Sequence, residues 1–148
     1  MAQQTQRGRI ARSGNGIAEL PAGRPLMVRA SDGTRLHTEI FGPDDGYPIV
    51  LSHGITCALR VWFNQIADLA VDHRVIAFDH RGHGRSEVPG RHGYTLDHLA
   101  GDLNAVLDAT LRPGERAVTR PCGASWFFGE MMEHESGCLG SPRLKTTK

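Results

Sequence analysis

The sequence predicts an α/β fold, a mostly parallel sheet that opens with an antiparallel hairpin and is flanked by helices. Three observations predict it. Residues 48–53 and 73–79 are continuous apolar runs rich in β-branched side chains, the pattern of strands buried on both faces. Residues 58–70 and 96–111 instead repeat apolar positions at three- and four-residue steps, which gathers them on one face of a helix. Ahead of these, residues 26–30 and 35–41 flank Ser31-Asp32-Gly33-Thr34, a tight turn of the kind that joins two antiparallel strands.

Each element follows from its residues. In the hairpin, Asp32 can bond the backbone nearby and Gly33 tolerates positive φ, while Leu36, Thr38 and Ile40 alternate with His37, Glu39 and Phe41 at the period of a strand. Gly42-Pro43-Asp44-Asp45-Gly46 breaks that strand before the central run begins. The first helix carries Leu59, Trp62, Phe63, Ile66, Leu69 and Ala70 on one face. Thr95 is the expected N-cap of the second, whose stripe is Leu96, Leu99, Ala100, Leu103, Val106, Leu107 and Leu111. It is expected to end at Arg112-Pro113-Gly114, and residues 115–118 open a fifth strand. Thr119-Arg120-Pro121 should cut that strand short, because a charge and a ring without an N–H suit a central strand poorly.

Beyond that point, Trp126-Phe127-Phe128 and Met131-Met132 have no clear period, and residues 137–148 are rich in Gly, Ser, Pro and Lys. The expected organisation is therefore a disordered basic leader at 1–25, a patterned unit at 26–118, and an atypical, poorly ordered tail at 119–148.

Composition narrows the function classes. The 148 residues are 39% hydrophobic and 22% charged with net charge +1, so a charge-driven nucleic-acid or membrane partner is not expected. Arg7, Arg9, Arg12, Arg24 and Arg29 do stand against Glu19 alone near the N-terminus. No apolar run approaches the length of a membrane span and the first residues lack the apolar core of a secretory signal, which makes a cytoplasmic location the expectation. Cys57, Cys122 and Cys138 show no Cys-x-x-Cys spacing and read as free thiols, and His80, His83 and His92 lack a carboxylate at ligand spacing, so no metal is expected.

Two loops carry the chemistry. Ser52-His53-Gly54-Ile55 leaves the central strand, where a glycine permits a sharp turn and successive N–H groups can face a cleft and stabilise an oxyanion. Asp79-His80-Arg81-Gly82-His83-Gly84-Arg85-Ser86 leaves the next strand, where the Asp79 carboxylate can accept loop N–H bonds and Arg81 can pair with a buried carboxylate. A dinucleotide fingerprint would need a third glycine, and Glu87 stands there.

With Trp62, Tyr94-Thr95-Leu96 and Ala100-Gly101-Asp102-Leu103 in the same order and separations, these loops resemble the N-terminal half of the α/β-hydrolase superfamily over about residues 26–118. The resemblance implies a partial α/β-hydrolase fold, truncated after the fifth strand, with hydrolysis of an ester, epoxide, amide or carbon–halogen bond of a small-molecule substrate and no cofactor. It implies the Ile55 backbone N–H as an oxyanion-hole donor, with His53, Gly54, Asp79, Arg81, Gly82, Gly84 and Ser86 shaping the loops.

The nucleophile, its acid and its histidine would follow the fifth strand. There the chain has Gly123-Ala124-Ser125-Trp126-Phe127, in which Phe127 replaces the glycine of a Gly-x-Ser-x-Gly elbow and Pro121 interrupts the strand that would aim it. Ser125, Glu130 or Glu133, and His134 lie too close in sequence to form the family's triad. The chain is thus expected to be catalytically incompetent as it stands. The alternative is a non-catalytic binding or regulatory module derived from the hydrolase fold; oligomeric state stays open.

Overall fold

The computed structural model describes residues 20–122. Its elements are β1 (Arg24–Arg29), β2 (Arg35–Phe41), β3 (Tyr47–Ser52), a 3-10 turn (Leu59–Trp62) running into α1 (Phe63–Leu69), β4 (His73–Phe78), α2 (Leu96–Thr110) and β5 (Val118–Pro121). The five described strands form one sheet in the order β1-β2-β4-β3-β5. β1 and β2 pair antiparallel, as do β2 and β4, while β3 runs parallel to both β4 and β5. This is the mixed α/β sheet that the sequence predicts.

The apolar runs are buried on both faces because each face has its own helix. Val50, Ile76 and Phe78 pack with Leu103, Val106 and Leu107 of α2. Their neighbours Ile49, Leu51, Val75 and Ala77 turn to the opposite face and meet Leu59 and Ile66. The alternation is the two-residue strand period seen from both sides. Burying each of the Val, Leu, Ile and Phe side chains stabilises the fold by roughly 1.5–3 kcal/mol.

Three boundaries differ from expectation, each for a local reason. β1 begins at Arg24, inside the expected leader, because Arg24 and Pro25 pair with Ile40 and Glu39 of β2; Ala30 is released to close the turn with Thr34 and Gly33. The first helix is shorter than residues 58–70: neither Ala58 nor Trp62 caps it with a side chain, so its first turn is 3-10.

The third difference lies at β5, which begins at Val118 rather than at residue 115 and runs through Thr119 and Arg120 to Pro121 rather than stopping at Val118. The Cys122 N–H donates to the Ser52 carbonyl at 2.9 Å. By strand alternation the Pro121 nitrogen faces away from β3, toward an edge that no other described strand covers, so no ladder bond is lost.

Candidate active site

Parallel pairing of β3 with β4 brings two loops to one end of the sheet. Ser52 is in register with Phe78 and with Pro121, so the chain leaves all three strands at the same carboxyl edge.

The β4 loop is organised by Asp79, which is almost fully buried. Its Oδ1 accepts the Leu59 N–H at 2.7 Å and its Oδ2 accepts the Arg85 N–H at 3.0 Å. One carboxylate therefore ties the start of the first helical segment to its own loop. Gly84 makes this possible: its φ is +51°, and a Cβ there would lie 2.3–2.4 Å from the Asp79 carboxylate atoms. Gly82, at φ +73°, leaves similar room for the Tyr94 ring. Ser86 closes the loop, its Oγ donating to the Asp79 carbonyl at 2.5 Å and accepting the His37 N–H at 2.8 Å.

Arg81 turns the other way and pins the loop to the body of the fold. Its Nε and Nη2 donate to the two oxygens of Asp102 on α2 at 2.7 and 2.6 Å. Its Nη1 donates to Asp32 in the β1–β2 turn at 2.8 Å and to the Gly93 carbonyl at 2.7 Å. The hydrogen bond from Arg81 holds the Asp32 carboxyl well below the usual carboxylate range. Burial pushes Asp102 up, against the pull of the same guanidinium. The sequence alone does not identify Asp32 as a partner of Arg81. For Asp102 the signal was present: a carboxylate at the spacing of Leu99, Leu103 and Val106 sits on the apolar stripe of α2.

Three imidazoles stand between the loops. His53 and His80 meet edge to face with centroids 4.7 Å apart, and His83 lies 5.4 Å from His53. The His80 backbone N–H donates to His53 Nε2 at 3.0 Å, so the His53 proton resides on Nδ1 and is donated to the Gly54 carbonyl at 2.8 Å. Burial lowers the pKa of both rings, and for His80, further opposed by His53 and His83, to about 4. His80 Nε2 also lies 2.9 Å from Ser52 Oγ. His92 is exposed and outside this group, and no set of three metal-ligating side chains occurs among the described residues.

The β3 loop places the Ile55 amide. Gly54 and Ile55 share a planar trans peptide, so the Gly54 carbonyl and the Ile55 N–H point in opposite directions. That carbonyl accepts from both His53 Nδ1 and the Cys57 N–H, the latter at 3.2 Å. Ile55 N–H is thereby turned away from His53, and no acceptor for it occurs among the described residues. The left-handed position of this turn falls on Thr56 (φ +68°), not on Gly54 as a glycine-driven turn would have it. Ser125, Glu130, Glu133 and His134 lie outside the described residues.

Strand order, two helix-covered faces and paired loops at the carboxyl edge define a partial hydrolase-type α/β unit. A family model described as the alpha/beta hydrolase fold matches residues 47–113. Over 83 residues the chain is 42% identical to a non-heme chloroperoxidase of Streptomyces lividans, covering 55% of this chain and 30% of that protein. Over 114 residues it is 35% identical to epoxide hydrolase B of Mycobacterium tuberculosis, covering 73% and 32%. Among solved structures it is similar to the enol-lactonase from Burkholderia xenovorans LB400, with a TM-score of 0.58 and 36% identity over 65% of this chain and 36% of that one. Residues 47–113 thus carry an N-terminal-half segment of the α/β-hydrolase fold, and the chain spans about a third of the length of these relatives.

Proposed function

We propose that this chain carries the oxyanion-stabilising wall of a hydrolase active site for an ester, epoxide, amide or carbon–halogen bond in a small molecule. The observation that carries the reading is the Ile55 N–H, whose peptide plane is fixed by the bonds to the Gly54 carbonyl and which has no acceptor among the described residues. When a nucleophile adds to a carbonyl carbon, the oxygen gains charge, and a preset N–H stabilises it; losing one such donor costs on the order of a hundredfold or more in rate. His53, Gly54, Asp79, Arg81, Gly82, Gly84 and Ser86 hold the loops and do not touch the reacting atoms.

The same reading holds that the 148 residues by themselves turn over none of these bonds, because no Gly-x-Ser-x-Gly elbow occurs in them and Phe127 stands where Ser125 would need a glycine. It treats residues 26–118 as the hydrolase unit and the cell cytoplasm as its location; no helix of the described residues is long and apolar enough to cross a membrane. The test is p-nitrophenyl acetate hydrolysis with fluorophosphonate labelling, comparing the parent chain with Ser125→Ala. The expected result is no turnover above buffer and no label in either. Turnover that Ser125→Ala abolishes would overturn the claim of incompetence.

A further inference from the structure

Ile55 is flanked by two peptide planes, and each is held by a different imidazole. The plane before it is fixed through the Gly54 carbonyl by His53. The plane after it carries the Thr56 N–H, which donates to His83 Nε2 at 3.3 Å. His83 is suited to accept, because its Nδ1 lies 3.0 Å from the Arg81 carbonyl, an acceptor that requires the ring proton on that nitrogen. The lone pair on Nε2 then faces the Thr56 N–H.

This bond lies at a strained place. Thr56 is β-branched and sits at φ +68°, a conformation that costs about 1–2 kcal/mol for a residue with a branched Cβ and persists only where the surroundings impose it. On the near side the turn is closed by the 3.2 Å bond from Cys57 N–H to the Gly54 carbonyl. On the far side the chain is anchored by the Leu59 N–H on Asp79. Between them, the Thr56 N–H is held by His83 alone among the described residues.

We infer that His83 is a positioning residue for the Ile55 N–H: the acceptor nitrogen of its ring holds the left-handed Thr56 turn, and so fixes the backbone on the far side of Ile55. This rests on the reading of Ile55 as the oxyanion donor. It adds a residue of the β4 loop to the machinery that aims a donor of the β3 loop. It also separates the acceptor role of His83 from ring packing against His53.

Backbone amide exchange followed by NMR on the full chain tests it, with three replacements of His83. His83→Phe keeps a ring against His53 but has no acceptor, and His83→Ala has neither. His83→Gln places a carbonyl oxygen near the position of Nε2. The expected result is Thr56 exchange about fivefold faster in the Phe and Ala variants, the worth of one hydrogen bond, and restored to within about twofold by Gln. Unfolding midpoints of the Phe and Gln variants matching the parent show that the fold is intact. Parent-like Thr56 exchange in His83→Phe, or the same acceleration in His83→Gln as in His83→Phe, would overturn the inference. Exchange at Thr56 needs no bound anion, so this failure is distinct from failure of the oxyanion reading, which shows as an Ile55 amide that does not respond to an added tetrahedral oxyanion.

Discussion

Removing the Asp102 carboxylate strikes the pin that holds the β4 loop against the rest of the fold. The Arg81 and Asp102 side chains are 1% and 0% exposed and share two parallel hydrogen bonds of 2.7 and 2.6 Å. Deleting one partner of such a pair leaves an uncompensated buried charge and costs about 3–5 kcal/mol. Arg81 keeps Asp32 and the Gly93 carbonyl, so Asp102→Ala should fall at the lower end, about 3 kcal/mol. A domain of this size has roughly 5–15 kcal/mol in total, so the variant remains folded in buffer. In urea, with a slope of about 1–2 kcal/mol per molar, the midpoint falls by about 2 M. Asp32→Ala is the internal control: its side chain is 29% exposed, and its loss should cost about 1 kcal/mol or less. Replacing both Arg81 and Asp102 by apolar residues of similar volume should recover most of the loss. If Asp102→Ala costs no more than Asp32→Ala, the pin is not what orders this loop.

Acidification acts through the buried imidazoles. The unfolded chain binds a proton on His80 near pH 6.5 and the folded chain only near 4, so between those values stability rises with pH. The His80 contribution, at most about 3 kcal/mol, is whole above pH 6.5 and lost as pH falls toward 4, with His53 adding in the same direction. Urea midpoints from pH 7.5 to 4.5 should show the decline, and His80→Gln should flatten it. Gly84→Ala combines a left-handed φ with a Cβ driven into the Asp79 carboxylate, which predicts a loss of about 2–4 kcal/mol in chemical denaturation. Ser86→Ala leaves the His37 N–H and the Asp79 carbonyl without their shared hydroxyl, for about 2 kcal/mol by the same measurement.

The fold was legible because its strongest signals are local. The apolar runs of β3 and β4 and the Thr95-capped stripe of α2 depend on few distant contacts, and they appear where expected. The misplaced boundaries depend on partners far along the chain. Arg24 and Pro25 become strand only because β2 pairs with them, and Pro121 is acceptable only because its nitrogen faces the open edge.

The site was half legible in the same sense. Glycines and an aspartate after a strand announce an irregular loop, and Asp79 and Arg81 take bonds of the kinds that their chemistry suggested. Which carboxylates Arg81 meets required the packing of α2 and the first turn. The two-imidazole hold on the peptides around Ile55 required the parallel register of β3 and β4. That the strained residue is Thr56, two positions after a glycine better suited to strain, has no signal in the sequence.

A preset Ile55 N–H donor at the carboxyl edge should respond to an oxyanion. Titrating the isotope-labelled chain with diethyl phosphate, a tetrahedral oxyanion, while following every amide shift, tests it most directly. The expected result is a saturable downfield shift at Ile55, larger than at any other loop amide and diminished in His83→Phe. An Ile55 amide that stays in place while amides elsewhere respond would contradict it.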